Sequence, residues 1–375
     1  MKIVKVELLP LVELKLQKEL SDAINIINTR RFSGVKVVSD DGLEGISPCL
    51  GWSSVVSVIE DIGRKILNMD PFDVEKIWER MYWYTFNFGR KGAPIIAISS
   101  IDVAIWDLIG KASNKPVWKL LGGYRSKVKA YGSGINLYWS KDEVIKEALS
   151  FVERGFKAYK MKVGREKWEE DIERVKEVRD AIGYSIDLMV DANNSWSVNR
   201  AIMMAKRLER YEVAWLEEPV MADDIDGIGE VAKNTSIPIA CGETEYTRYG
   251  FKDLITRGKI SIVQADILKC GGYTEWKKIA NFAKAYNLVM APHANTWLSA
   301  QAVASVSNGY IVEVFDIKYP FEYFSYPLRF EDDYIKLQEE AGLGIKVNLE
   351  NVKKYLAKGF DEGWDTFPPH PYKIS

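Results

Sequence analysis

From residue 126 onward, short apolar runs alternate with stretches of helical period, and this rhythm limits the possible fold more than any other feature of the chain. The runs are Val128–Gly132, Ala158–Val163, Ile186–Asn193, Ala214–Glu217, Ile237–Glu243, Ile262–Ile267, Leu288–His293 and Ile311–Phe315. Their length suits strands, and near-continuous apolarity means burial on both faces, as when helices cover a parallel sheet. Eight such strands with helices between them predict a closed parallel α/β barrel. An open doubly wound sheet is the rival, but no Gly-x-Gly-x-x-Gly follows the first run. Between the first two runs, Ser140 with Glu143 three residues on forms a capping box and predicts a helix over Lys141–Arg154.

The chain before residue 126 has another character. Strand-like runs Ile3–Leu14 and Val35–Val38, with the turn signal Asp40-Asp41-Gly42, give way after Trp52 to helical patterning. Apolar residues at 101, 105 and 108 give Ala97–Gly110 one wide buried face, and Pro116 and Gly122-Gly123 close the region. At 375 residues the chain suits about two domains of roughly 150 residues each. We divide it into 1–125, the barrel at 126–320, and a segment 321–375 that packs back on the N-terminal region.

Nearly every barrel run ends in an ionisable residue: Lys160 and Lys162, Asp191, Glu217, Glu243, Asp266, His293 and Glu313. From Lys162 onward the spacings are 29, 26, 26, 23, 27 and 20 residues, one strand–helix unit each. Active sites of such barrels lie at the C-terminal strand ends. Residues two apart share a strand face, so Lys160 joins Lys162, and Asp191 joins Asn193. So many unpaired charges in one mouth would be costly to bury. A cation and an anionic substrate would compensate both signs. Asp191, Glu217 and Glu243 are hard oxygen ligands suited to Mg²⁺; zinc is disfavoured because His and Cys are scarce.

Lys160 and Lys162 are either solvated strand ends or catalytic groups; in the second reading Lys160 and a metal depress the Lys162 pKa and free a base. His293 with Asp266 on the preceding strand suggests a dyad in which the carboxylate fixes the imidazole. His370, among Pro368, Pro369 and Pro371, reads as surface. Trp52, Trp83, Tyr84, Phe86 and Phe88 read as core. The pair Arg90-Lys91 is either a solvated face or a loop reaching over the mouth to substrate hydroxyls.

The bulk numbers exclude several partners. With 51 basic and 53 acidic residues the chain lacks the basic excess that a nucleic-acid backbone requires. Cys49, Cys241 and Cys270 form no disulfide framework, which points to a reducing cytoplasm. The N-terminus reads as a strand without signal-peptide features, and no apolar run is of bilayer-spanning length.

These residues together resemble the mandelate racemase branch of the enolase superfamily. The resemblance covers nearly the whole chain. One carrier is Ala97–Gly122, with Asp102, Asp107, Gly110-Lys111, Pro116 and Leu120-Leu121-Gly122; the other is Asp191-Ala192-Asn193 through Leu216-Glu217-Glu218-Pro219. It implies a (β/α)7β barrel under an α+β capping domain, built from the N-terminal third plus the C-terminal segment. It implies Mg²⁺ on Asp191, Glu217 and Glu243, with Lys160 beside the substrate carboxylate. Lys162 would be one acid/base, His293 with Asp266 the other, and Glu313 a hydrogen-bond partner of that carboxylate. The sixth strand divides the branches: the muconate-cycloisomerase type places a catalytic lysine five residues before Gly-Gly, where this chain has Asp266 before Gly271, which favours the racemase-like arrangement. Lys269 is out of phase with the inward strand face and reads as structural.

Within the branch, Phe88–Gly92 and Glu243–Arg248 resemble the aldonic (sugar) acid dehydratases, those acting on pentonates in particular. Glu245 departs from the small or neutral residue expected there; it either hydrogen-bonds a sugar hydroxyl or shifts the substrate class. The implied reaction starts with Lys162 removing the proton next to the carboxylate. Protonated His293 then helps the 3-hydroxyl leave, giving a 2-keto-3-deoxy acid. A racemase or epimerase with the same two groups is the alternative, and a non-catalytic binding barrel a remote one. Partners are then a small carboxylate and further copies of the chain, with neither nucleic acid nor membrane.

Overall fold

The structure is a computed structural model and describes residues 1–317, 323–350 and 352–356. His370 and its prolines lie outside the described residues. The N-terminal part is an antiparallel sheet of β1 (Ile3–Ser21), β2 (Ile26–Ser39) and β3 (Glu44–Leu50) in that order, followed by helices α1 (Ser53–Gly63), α2 (Val74–Thr85) and α3 (Ala93–Ala112). The short α4 (Val117–Leu120) leads into the barrel.

The barrel has eight parallel strands: β4 (Lys127–Ser133), β5 (Ala158–Lys162), β6 (Asp187–Asp191), β7 (Val213–Glu217), β8 (Ile239–Cys241), β9 (Ile262–Val263), β10 (Val289–Met290) and β11 (Ile311–Phe315). Seven helices join them: α5 (Lys141–Glu153), α6 (Trp168–Ile182), α7 (Val198–Leu208), α8 (Ile225–Lys233), α9 (Thr247–Thr256), α10 (Gly272–Ala285) and α11 (Thr296–Ala304). The ladder runs from β10 in steps to β4, which also pairs with β11; the Met290–Gly309 bridge closes the ring. This is the (β/α)7β barrel. The Ser140–Glu143 capping box starts α5.

Period two decides what faces inward. Tyr131, Ala158, Met189, Trp215, Ala240, Ile262, Ala291 and Ile311 fill the barrel as its own apolar cluster. Two residues further along their strands come Lys160, Asp191, Glu217 and Glu313, one level higher. Strands β8, β9 and β10 are shorter than the apolar runs suggested, so Glu243, Asp266 and His293 stand on the turns just past them.

One expectation is corrected. Helix α3 is long and apolar enough to cross a bilayer by length and composition, although no such run was expected. It is buried almost throughout, against β3, α1 and α10. Its contact with β3 is close enough that a Cβ at Gly45 would lie 2.0 Å from the Ala104 carbonyl oxygen.

Two buried acids of α3 join the parts. Asp107 accepts from the Ile46 amide at 2.8 Å and the Leu343 amide at 2.7 Å, linking the sheet to the C-terminal segment. Asp102 accepts from the Thr274 amide at 3.0 Å and the Thr274 hydroxyl at 2.5 Å, linking α3 to α10. Burial pushes the Asp102 carboxyl up to about 7. Asp102→Ala leaves both Thr274 donors without their acceptor, and we expect it to cost about 1–3 kcal/mol. Urea titration measures this; a wild-type midpoint would show that the junction adds no stability.

The described residues after 320 pack on both parts. The strands β12 (Phe324–Ser325) and β15 (Lys346–Val347) pair with each other, and the Tyr323 hydroxyl donates to the Pro10 carbonyl of β1 at 2.6 Å. The hairpin of β13 (Arg329–Glu331) and β14 (Tyr334–Lys336) instead adds to barrel strand β4, antiparallel.

Candidate active site

The strand order sets the ring of charges. Lys160 and Lys162 come from the second barrel strand, Asp191 and Glu217 from the third and fourth, and Glu243, Asp266 and His293 from the turns after the fifth, sixth and seventh. Glu313 comes from the eighth. The structure brings all of them together.

Lys160 is the centre of the lower level and has no solvent exposure. Its ammonium lies 2.5 Å from Glu217 Oε1, 2.9 Å from Glu313 Oε1 and 3.7 Å from Asp191 Oδ2. Burial pulls its pKa down, but Glu217 and Glu313 reverse that and hold it well above the ordinary value. Burial raises the Glu313 carboxyl, yet Lys160 and His293 together bring it down to about 2. Glu217 is pushed up to about 8 by burial and by Asp191. Its other oxygen accepts from the Trp215 indole at 3.0 Å.

Lys162 donates to Asp191 Oδ2. Among the protein groups alone, burial and Lys160 lower the Lys162 pKa, but Asp191, Glu243 and Asp22 together outweigh them and it is raised. The backbone around Lys162 is fixed by buried Arg174, which donates to the Lys162 carbonyl at 2.9 Å and the Asn136 carbonyl at 3.0 Å. Asn136 in turn accepts from the Lys162 amide at 3.2 Å.

On the other flank, His293 Nδ1 lies 2.9 Å from Asp266 Oδ2. Asp266 is itself held by the Leu268 amide at 2.8 Å and the Asn295 side chain at 2.9 Å. Nδ1 therefore carries the proton toward Asp266, and Nε2 faces the mouth, 3.4 Å from Glu243 Oε2. Burial lowers the His293 pKa, but Glu243 and Asp266 raise it overall.

Asp191, Glu217 and Glu243 each offer one oxygen, and these oxygens lie within 4.8 Å of one another, all buried. Glu243 Oε2 is buried without a hydrogen-bond partner. Five carboxylates face two ammonium groups and one imidazole, so negative charge is in excess whatever the state of His293. Three hard anionic ligands, an orphaned oxygen and a charge excess fit a divalent cation such as Mg²⁺.

Other expected positions fall less simply. Asn193 is buried; its amide donates to Asp191 Oδ1 at 2.9 Å, and its own Oδ1 is unpartnered. Arg90 is not brought to the mouth: it is exposed, with its guanidinium 5.5 Å from the Phe86 ring. Its neighbour Lys91 makes the reach instead, 2.8 Å from Glu245 Oε1. Glu245 is thus engaged by Lys91 and by the Tyr246 amide at 2.8 Å. Lys269 sits on the turn after Asp266 rather than on a strand, so strand phase does not govern it; Glu243 and Asp266 raise its pKa against the effect of burial.

The sequence reading gave Glu218 no role. It is buried, with a left-handed backbone (φ 41°), and accepts from Asn194 Nδ2 at 2.7 Å and Thr244 Oγ1 at 2.9 Å. It therefore ties the loop after Asp191 to the loop after Glu243. The second acid of Glu217-Glu218-Pro219 was the available signal. We expect Glu218→Ala to weaken Mg²⁺ binding by about 10–100-fold, as loss of an outer-shell partner commonly does. Glu218→Gln should keep most of the affinity, since an amide can serve Asn194 and Thr244 together. Calorimetric titration reads both, and equal affinities for the two variants would remove the role.

Residues 143–352 match the family described as Enolase C-terminal domain-like, and residues 11–122 match Mandelate racemase / muconate lactonizing enzyme, N-terminal domain. The chain is 33% identical over 330 residues to a 3,6-anhydro-alpha-L-galactonate cycloisomerase of Streptomyces coelicolor, covering 87% of this chain and 91% of that one. It is 33% identical over 336 residues to an arabinonate dehydratase of Saccharolobus solfataricus, covering 86% and 90%. A solved racemase from Streptomyces coelicolor A3(2) with bound magnesium superposes with a TM-score of 0.90 at 31% identity, covering 95% of this chain and all of that one. By fold, by carboxylate arrangement and by sequence over both parts, the chain belongs to the mandelate racemase / muconate lactonizing enzyme family of the enolase superfamily.

Proposed function

We propose that the protein is a Mg²⁺-dependent sugar acid dehydratase acting on an aldonate, with pentonates the first class to test. One observation carries the reading: Lys162 and the Asp266-anchored His293 flank a buried three-carboxylate cluster in a single mouth. Asp191, Glu217 and Glu243 would hold the ion. Bound Mg²⁺ supplies positive charge that stabilises the substrate carboxylate as the neighbouring C–H bond breaks. With the Asp191 charge so engaged, Lys162 loses the partner that holds its proton.

Lys162 Nζ then takes the proton from C2, and the C–H electron pair moves into the carboxylate as an enediolate. Lys160 faces the growing charge from below as a fixed cation. His293 Nε2 gives its proton to the oxygen on C3, that C–O bond breaks, and water leaves. The resulting enol tautomerises to the 2-keto-3-deoxy acid. The same steps suit a substrate whose C3 oxygen is part of a ring ether, which would open instead of leaving as water. The relative named for a 3,6-anhydro sugar acid favours that variant. A racemase or epimerase would return the C2 proton from the other flank with no bond to C3 broken; the racemase among the similar structures supports keeping it.

The proposal extends to a reducing, cytoplasmic setting, supported by Cys49, Cys241 and Cys270 being separate buried thiols. The deciding experiment incubates the Mg²⁺-loaded enzyme with a panel of aldonates, aldarates and anhydro-aldonates. A 2-keto product from an aldonate, detected as its semicarbazone and abolished by a chelator, is the expected result. Inverted C2 with no keto product identifies the epimerase.

A further inference from the structure

The capping domain inverts two expectations of burial. Trp83 and Phe88, read as core, are 61% and 56% exposed, whereas the charged Asp22 is only 8% exposed. Asp22 opens the turn 22–25 between β1 and β2, and that turn is docked on the barrel. The Ser21 amide donates to the Ile135 carbonyl at 3.0 Å, and the Ser21 carbonyl accepts from the Leu137 amide at 2.8 Å. The Ser21 hydroxyl accepts from the Tyr138 amide at 2.9 Å. Ala23 lies against Gly164, where an added Cβ would come 3.1 Å from that of Ala23. The turn therefore spans the loops that follow β4 and β5, on the flank of the mouth that carries Lys162.

A carboxylate buried at such a place needs partners. Oδ1 has them: it accepts from the Ile24 amide at 2.9 Å and the Asn25 amide at 2.7 Å. Among the described residues, Oδ2 meets only the Asn25 side-chain amide, at 3.3 Å. Burial raises the Asp22 carboxyl, and Lys162 is the strongest of the groups that offset it. Asp22 in turn adds to the charges that hold the Lys162 proton. The two groups thus act on each other across the upper tier, and Oδ2 brings an under-used anionic acceptor to it.

That acceptor stands where the far end of a bound sugar acid arrives. Asp191, Glu217 and Lys160 fix the substrate carboxylate low in the mouth, so its carbon chain runs from there toward the capping domain. Beside the turn, Leu20, Ser133 and Phe315 help line a cavity of about 160 Å³. Ser133 and Phe315 pair with each other on the first and eighth barrel strands, across the ring from Glu217. They stand two residues beyond the inward-facing Tyr131 and Glu313, so the cavity borders the mouth. The Ser133 hydroxyl is buried without a partner. Cations beside the turn are engaged elsewhere: Lys18 with Glu143 and the Trp139 ring, Arg165 with the Leu137 and Trp139 carbonyls. A hydroxyl reaching this space finds acceptors, whereas a second carboxylate meets the Asp22 charge.

We propose that Asp22 sets the substrate class: its Oδ2 accepts a hydrogen bond from a substrate hydroxyl beyond C3, and its charge turns away sugar diacids. The inference rests on the sugar acid reading above and narrows it to monocarboxylates.

The test pairs each aldonate with the aldarate that carries a carboxylate in place of its terminal CH₂OH. Loss of the C2 proton in D₂O, followed by NMR with the Mg²⁺-loaded enzyme, registers elimination and inversion alike. Like charges opposed in a site shielded from water are strongly disfavoured, so kcat/KM for the aldonate should exceed that for its aldarate by about 100-fold or more. Asp22→Asn keeps an oxygen for the Ile24 and Asn25 amides. It should lower kcat/KM for the aldonate by about 10-fold, mainly through KM, and raise that for the aldarate until the two lie within about 10-fold. Circular dichroism checks that the variant is folded. The wild type gives a second measurement that needs no variant: an aldarate amidated at its far carboxylate, neutral and of the same size, should be used as the aldonate is. Equal use of aldonate and aldarate by the wild type overturns the inference and leaves the sugar acid reading standing. So does rejection of the amide, or a folded Asp22→Asn enzyme with the wild-type ratio. A panel in which neither kind of acid loses its C2 proton overturns both.

Discussion

A Lys162→Ala enzyme will neither dehydrate its substrate nor exchange the C2 proton with D₂O, whereas His293→Asn will lose dehydration but keep exchange. The two residues serve different bonds in the proposed reaction. Lys162 breaks C–H, and its neighbour Lys160 cannot replace it, being held protonated by Glu217 and Glu313. His293 acts on the departing oxygen. Acid catalysis commonly contributes about 10²–10⁴-fold, and that is the loss expected from His293→Asn. Base, carboxylate cluster and Lys160 survive in that variant, so the C2 proton still washes out. NMR of substrate recovered from D₂O reads the difference. Exchange that vanishes with His293 and persists without Lys162 would reverse the two roles. Normal dehydration by both variants would move the active site elsewhere.

Glu217→Gln is expected to abolish activity and to weaken Mg²⁺ by more than the ~10–100-fold typical of an outer-shell loss. Glu217 stands between the other two carboxylates and also holds Lys160 at 2.5 Å. The neutral amide therefore removes one anionic ligand and leaves a buried ammonium with less counter-charge. The side chains are nearly equal in shape, so the fold should persist. Calorimetric titration with Mg²⁺, alongside far-UV circular dichroism, separates metal loss from unfolding. Unchanged affinity in a folded variant would sink the assignment of Glu217 as a ligand.

The inward positions were legible because strand period two is rigid: from Lys160 and Lys162 the faces of β5 follow directly, and likewise Asp191 on β6 and Glu217 on β7. The ends of β8, β9 and β10 were less so. Apolar character continues past the last paired residue into the turns that carry Glu243, Asp266 and His293, and apolarity alone does not record where pairing stops. The phase argument for Lys269 fails for the same reason, since it sits on a turn and not on a strand. Contacts between the capping domain and the barrel, such as Lys91 with Glu245, join residues 154 positions apart. No local pattern encodes such a pair. Arg90 and Lys91 read alike in sequence, and only the course of the loop separates the one that reaches the mouth from the one that stacks on Phe86.

Beneath the charged level, the rings of Tyr131 and Trp215 meet edge to face at 5.2 Å, and Lys160 stands on them with its ammonium 5.6 Å from the Tyr131 ring. This floor closes the charged level from below with apolar side chains, and Lys160, buried and held protonated by Glu217 and Glu313, works as an electrode rather than a relay. In the proposed reaction the two proton transfers, from C2 and to the oxygen on C3, then fall to the upper tier, to Lys162 and His293, while the aromatic floor keeps the lower cation fixed beneath them.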